Sequence, residues 1–408
     1  MLGTCFAWAL ALGIVGCAAY NPTPDSASIS FSFGSFDYGD RDFADYLSVQ
    51  LQEFQESHPD ISVDLRRSRD GSTDCFTGLA SNLGQQRESG EILVLDPFVE
   101  QDDTIDMADF YPSVSRLFVS EGEILGIPAS ANVIVMYYNQ DLFDRYSVPY
   151  PQPGWTWAEF LAKGLALRDP DAQVFGYVIP QGATAFDPAL FVYQHGGRIF
   201  DDLQNPTQPT FDDPLTVEAL EWYEQLINEH NIAPTSEQIR ATYGAAENAL
   251  YRGILQDKFG MWMGWFSERG GLAWPVSWPM QWGMVQLPRD ANSFTGGLVE
   301  GYFISAGSNH PQACWELISY LSHQLPYSSF PVRRSIAESD VYSSRVGNQV
   351  AAVGRASLQD ALLLSPEAFA GSDALEIFAK AIDDVVQRRA TAEEAMGAAQ
   401  QKAEASQP

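Results

Sequence analysis

Three candidate strands separated by two candidate helices fill the first folded stretch of the chain. "SISFSFGSF" (28–36) alternates apolar and polar residues, the period of a strand with one buried face. After the break "YGDRDF", apolar residues return at helical spacing: Phe43, Tyr46, Leu47, Leu51 and Phe54. "DISVDLRRS" reads as a second strand, "CFTGLASNLGQQRES" as a second helix and "GEILVLDPFV" (90–99) as a third, buried strand. Strand, helix, strand, helix, strand over about 70 residues leaves few folds open, because parallel strands need long crossovers and helices supply them. The class predicted is α/β.

At 408 residues the chain exceeds what one hydrophobic core usually serves, so two lobes are expected. Hydrophobic residues make up 45% and charged residues 19%, the composition of a folded protein. Further along, an extended run covers Ile127 to Tyr137. Thr156 with Glu159 three residues on announces a capped helix. Asp213 followed by Pro214 announces another, with apolar residues at Val217, Leu220, Tyr223, Leu226 and Ile227. The last helices are "PQACWELISYLSHQ" and the stretch from "SDALEIFAKAIDD" to the C-terminus. No internal repeat interrupts the chain.

The net charge of −30, from 53 acidic and 23 basic residues, opposes binding to nucleic acid. It favours neutral, hydroxyl-rich or cationic ligands, although one buried arginine can still clamp a carboxylate. At the N-terminus "CFAWALALGIVG" is apolar but too short to span a membrane comfortably. It stops at Ile14-Val15-Gly16-Cys17, which resembles a bacterial lipobox with Cys17 as the lipidated residue. Residues 1–16 are then the signal peptide and 17–28 a tether. No Lys or Arg precedes Arg41, so a start upstream of Met1 is an expectation too. The body keeps Cys75 and Cys314, an even pair for an oxidising compartment. The reading here favours two free thiols, Cys314 being a small buried helix residue.

No phosphate loop, dinucleotide fingerprint, zinc-protease helix or nucleophile elbow occurs. The five histidines are scattered. The cluster Asp37, Asp40, Asp42 and Asp45 lacks the spacing of a calcium loop and sits where a helix begins, where carboxylates cap and pair with the dipole. The aromatics stand out instead. "MWMGWFSERGGLAWPVSWPMQWG" holds Trp262, Trp265, Trp274, Trp278 and Trp282, half of the ten tryptophans. The last three lie among Gly, Pro and Ser, and Trp265 is followed by Ser267, Glu268 and Arg269. Flat apolar faces beside hydrogen-bonding groups suit a saccharide. Core packing is expected for two or three of the five. Trp155, Trp157, Trp222 and Trp315 read as core, and Tyr137, Tyr138 and Asn139 as supports of a strand and its turn.

Several segments in order, "GEILGIPASANVIVMYYNQDLFDRY", "PGWTWAEFLAKGLAL", "FDPALFVYQHGGRIFDD", "LQDKFGMWMGWF", "GGLVEGYFISAGSNHPQACWELISYLS" and "FPVRRSI", resemble the extracellular solute-binding proteins of bacterial ABC importers, in the maltose-binding-protein-like group. The resemblance implies a two-lobed, type II-like periplasmic-binding-protein fold. Each lobe is a mixed sheet flanked by helices, and three chain crossings form the hinge. These crossings fall near Pro128–Ala131, Gly296–Leu298 and Leu325–Ser329. Residues 29–128 with 298–326 form the N-terminal lobe, and 129–297 with 327–408 the C-terminal lobe. A mono- or oligosaccharide lies between them.

Carried onto this sequence, the resemblance places Phe36, Asp37, Asp96, Asn132, Phe186, Asp187, Trp265, Glu268, Gly297, Tyr302 and Arg333 at the ligand. Trp265 is the stacking platform. It implies no catalytic residue, cofactor or metal. The partners are an ABC permease and, through Cys17, the membrane, for a monomer exported to the periplasmic or extracellular face. Two other readings stay open: the same fold carrying glycerol phosphate, a polyamine or a peptide, and a secreted glycoside-active enzyme using two cleft carboxylates.

Overall fold

The computed structural model describes residues 26–33, 40–178, 186–202, 207–244, 249–272, 274, 276–359, 362–364 and 373–406. Its strands are β1 (Ala27–Ser32), β2 (Ile61–Arg66), β3 (Cys75–Leu79), the hairpin β4 (Val119–Ser120) and β5 (Glu123–Ile124), β6 (Ile127–Asn139), β7 (Phe175–Val178), β8 (Phe259–Trp265), β9 (Trp282–Val285), β10 (Phe294–Ile304), β11 (Phe330–Pro331) and β12 (Leu362–Leu364). All but the hairpin join one sheet, whose main path is β2-β1-β3-β10-β6-β8-β7, with β9 and β11 added to β6 and β12 to β10. The pairs at its two ends are parallel, β1 with β2 and β3, and β7 with β8. At its centre β6 and β10 run antiparallel.

β6 organises the molecule. Its sequence IPASANVIVMYYN is buried at every position but one, which is the pattern of a strand covered on both faces. At about 3.3 Å per residue it spans roughly 40 Å. Successive side chains alternate between two cores, as the period of a strand requires. Val133, Val135 and Tyr137 join one that also holds Phe31, Phe54 and Trp315. Ile134, Met136 and Tyr138 join the other, with Tyr177, Phe191 and Phe378.

Three passages of chain meet on β6. Ser130 and Ala131 face Glu300 and Val299 of β10 on one side and Pro331 and Phe330 of β11 on the other. The register against β10 shifts here, Gly301 opposing Pro128, so Ala129 is an extra residue and the strand bends.

The helix signals hold where they rest on capping. Thr156 and Glu159 form the capping box of the Trp157–Leu167 helix, and Asp213 caps Pro214–Asn228. The third-strand reading does not hold. Residues 90–99 contribute only an isolated bridge, Ile92 to Ser305, and a helical turn, Asp96–Val99. The strand is Cys75–Leu79, the front of the segment read as helix, with helix only from Leu83 to Glu88. The sheet place between β1 and β10 is taken by Phe76 and its neighbours, which stack against Phe303 at 5.4 Å.

The free-thiol reading is also corrected, because Cys75 and Cys314 form a disulfide with their Cα atoms 5.8 Å apart. Cys75 opens β3, and the Pro311–Ser322 helix lays Cys314 over it. Both are fully buried.

Candidate ligand-binding cleft

Four of the parallel strands end in one region. β1 stops at Ser32 and β3 at Leu79, and antiparallel pairing sets Leu79 opposite Glu300 of β10. From the other end of the sheet, β7 stops at Val178 and β8 at Trp265, which lies opposite Ile134 of β6. The carboxyl ends of both parallel sets therefore face residues 130–134 of β6. Open α/β sheets bind ligands at such ends.

One group of candidate residues lines a recess between the Asp40–Ser57 helix, β10 and the chain at 325–329: Phe43, Tyr46, Thr77, Glu300, Tyr302 and Tyr327 among others. The Tyr327 ring lies 6.3 Å from Phe43 and 5.6 Å from Tyr46. Tyr46 donates to the Leu325 carbonyl. Burial raises the Tyr46 hydroxyl, partly offset by Arg345, and raises the Tyr302 hydroxyl far above the ordinary tyrosine range. Ser130 donates to Glu300 Oε2 at 3.3 Å. The enclosed space is about 60 Å³, well below the several hundred Å³ of a small-molecule site, so this recess does not enclose a ligand by itself.

A second group of candidate residues is built on the turn Phe266–Gly271 that follows Trp265. Tyr137 Oη donates to the Trp265 carbonyl at 2.8 Å. Asn132 clamps Ser267, donating from Nδ2 to Oγ at 3.0 Å and accepting from the Ser267 N–H at 3.1 Å. Arg269 reaches the Ser328 carbonyl at 2.6 Å, joining this turn to the chain that borders the recess. Held in this way, Trp265 stays partly buried, its ring packed at the edge of the second core. Glu268 is 9% exposed.

Asp187 enters from the Phe186–His195 helix. It is 3% exposed, its Oδ2 has no hydrogen-bond partner among the described residues, and burial pushes the carboxyl up to about 7.

The residues expected at the ligand divide by what the structure gives them. Trp265, Glu268, Asp187 and Tyr302 lie at or near the carboxyl ends. Asn132 is spent on Ser267. Gly297 serves packing, since a Cβ there would lie 3.3 Å from Val133 Cγ1. Asp96 begins a helical turn, not a strand end, and accepts the Ile124 N–H at 2.8 Å. Arg333 is 6% exposed and engaged by Asp109 at 3.0 Å, the Thr104 carbonyl at 3.0 Å and Ser322 at 3.3 Å. Cys17, Phe36, Asp37 and the Phe186 side chain lie outside the described residues.

Sequence reading passed over Phe43 and Tyr46, which it counted as an apolar helix face, and Glu300 and Tyr327. The signal for Tyr327 is its place in "QLPYSSF", where a Pro and two Ser flank an aromatic at an expected crossing.

A family model described as bacterial extracellular solute-binding protein matches residues 45–344, and the chain belongs to that family. Its fold is that of several solved solute receptors. The ABC substrate-binding protein Lmo0181 from Listeria monocytogenes, in complex with cycloalternan, is similar at a TM-score of 0.72 and 20% identity, over 93% of this chain and 98% of that one. The sugar-binding protein MalE from Xanthomonas citri is similar at 0.73 and 18%, over 93% and 97%. UgpB from Mycobacterium tuberculosis, in complex with glycerophosphocholine, is similar at 0.71 and 16%, over 92% and 97%. The architecture is the two-lobed α/β fold of binding proteins, and the family is an exported one.

Proposed function

We propose that this protein is the receptor of an ABC importer and that it holds a saccharide between its lobes for delivery to a membrane permease. The observation that carries the reading is the partly buried Trp265 at the carboxyl end of β8, its carbonyl held by Tyr137 and the turn after it held by Asn132 at Ser267. A sugar ring has an apolar C–H face for that indole and a fringe of hydroxyls for Glu268 and Glu300; Asp187, buried in the second core, is set apart from the ligand shell. The lobes are residues 29–128 with 298–326 and 129–297 with 327–408. The hinge is the triple passage at Ser130–Ala131, where the bulge supports bending. Phe36, Asp37 and Phe186 complete the ligand shell. Cys17 carries the lipid that anchors a monomeric chain, residues 18–28 act as tether, and the protein performs no catalysis.

Replacement of Trp265 by Ala tests the reading. Calorimetric titration of the saccharide that most raises the melting temperature should show binding lost or weakened by on the order of a hundredfold, with the circular-dichroism spectrum unchanged. Unaltered affinity overturns the assignment.

The carboxyls of Glu268 and Glu300 favour a polyamine as the second reading. An anion is disfavoured, because Arg333 is held by Asp109 and Arg334 donates to the Ala108 carbonyl.

A further inference from the structure

His195 is the last residue of the Phe186–His195 helix, and its half-buried ring is boxed in by three other segments. It lies parallel to the Trp157 indole, 5.4 Å away with 12° between the planes. Trp157 in turn stacks on Trp222 of the Pro214–Asn228 helix at 4.1 Å. The ring nitrogens complete the contacts: Nδ1 meets Asp290 Oδ2 at 2.5 Å and Nε2 meets Glu218 Oε2 at 3.3 Å.

Each ring nitrogen thus faces a carboxylate, which only accepts. A neutral imidazole has one N–H and would set a lone pair against the other carboxylate, whereas the imidazolium donates to both. A cation is also stabilised by the carbonyl end of the helix it terminates and by the face of a tryptophan beside it. Glu218 and Asp290 are the charged groups that face the ring. Arg289, next to Asp290, is turned to the Gly154 carbonyl at 3.2 Å, and Glu159 is held in its capping box. Arg198 lies 4.0 Å from Asp213, and Glu221 lines a separate hollow with Arg388 and Arg389. Burial alone would lower the histidine pKa, but the bonds to Asp290 and Glu218 outweigh it and raise it above the ordinary value.

Asp290 belongs to the exposed stretch 290–293 that leads into β10. The Asn292 N–H ties that stretch to the same helix end by donating to the Gln194 carbonyl at 2.8 Å, and Asn292 Nδ2 donates to the Tyr193 carbonyl at 3.1 Å. From here β10 crosses the middle of the sheet between β6 and β3. We propose that His195 is a pH-sensitive clasp: as an imidazolium it bridges Asp290 and Glu218 and fastens the entry of β10 to two helices, and when it loses its proton that entry loosens. An exported protein takes the pH of its surroundings. The clasp is closed below the ordinary histidine value of about 6.5 and opens as pH rises through the higher value of the folded protein. It is independent of the saccharide reading.

Nitrogen NMR of the imidazoles in the full-length protein, with His195→Gln to assign the signal, tests this. Both His195 nitrogens should carry protons at about pH 6.5, and the ring should titrate above that value. From about pH 6 to about pH 9 the protection of the Asn292 amide against hydrogen exchange, corrected for its intrinsic rate, should fall by about two- to fivefold, the scale of a charge at a helix end. In His195→Gln the protection should be flat, at the level the parent reaches at the alkaline end. Asp290→Asn keeps the histidine and should bring its titration down toward the ordinary value. Titration of His195 at or below about 6.5, titration unmoved by Asp290→Asn, or the same fall of protection in His195→Gln overturns the proposal and leaves the cluster a packing role alone.

Discussion

Asp187 carries a carboxyl into the second core beside Tyr177 and Tyr223, and among the described residues the Tyr177 hydroxyl has no partner either. Burial lifts the carboxyl from 3.8 to about 7, so between those values the folded protein holds a proton that the unfolded chain has lost. Stability then falls as pH rises from about 4 to about 7 and stays at the lower level above. Asp187→Asn removes the titration. Its melting temperature should exceed that of the parent at pH 8, by an amount reflecting a few kcal/mol, and the two should converge near pH 4. Parallel melting curves across that range would refute the assignment. The sequence placed an acid here by its position before "PALFVYQHGG", but burial depends on strands distant in sequence. The tryptophans show what was legible. Trp262 and Trp265 are three positions apart in a strand, so they point to opposite faces. Reading "MWMGW" at period two separates the core residue, Trp262 at 1% exposure, from the one that stays partly open.

At the scale of elements, the signals that survived are local. The capping pair Thr156 and Glu159, the Asp213-Pro214 start and the apolar continuity of β6 each depend on a few adjacent residues. The strand β3 was not legible because "CFTGL" is short, contains Gly78 and runs directly into helix-forming sequence. Its extended form is set by pairing with β1 and β10. The same pairing explains the disulfide, since Cys75 and Cys314 are 239 residues apart and only the packed helix brings them together. A link across so long a loop restricts the unfolded chain strongly, and its loss costs about 2–5 kcal/mol. Cys75→Ser with Cys314→Ser should lower the denaturation midpoint accordingly while leaving saccharide affinity within about threefold, because both sulfurs lie inside one lobe's core. A midpoint equal to that of the parent would show that the bond is not formed in the protein.

The whole molecule is two α/β halves sharing two long strands, with β11 laid beside β6 at Ser130–Ala131. A hinge of adjacent passages permits rotation while both cores stay packed, the arrangement by which two-lobed receptors close on a solute. Closure is favoured only by ligand contacts made better in the closed than in the open state. Under the proposed reading, Trp265 and Glu268 after β8 and Glu300 and Tyr302 on β10 are the groups a bridging solute would join. Small-angle X-ray scattering of the protein with and without the saccharide that most raises its melting temperature tests this directly. A smaller radius of gyration is expected at saturation, with the change absent in Trp265→Ala. Tight binding with an unchanged radius of gyration would contradict it.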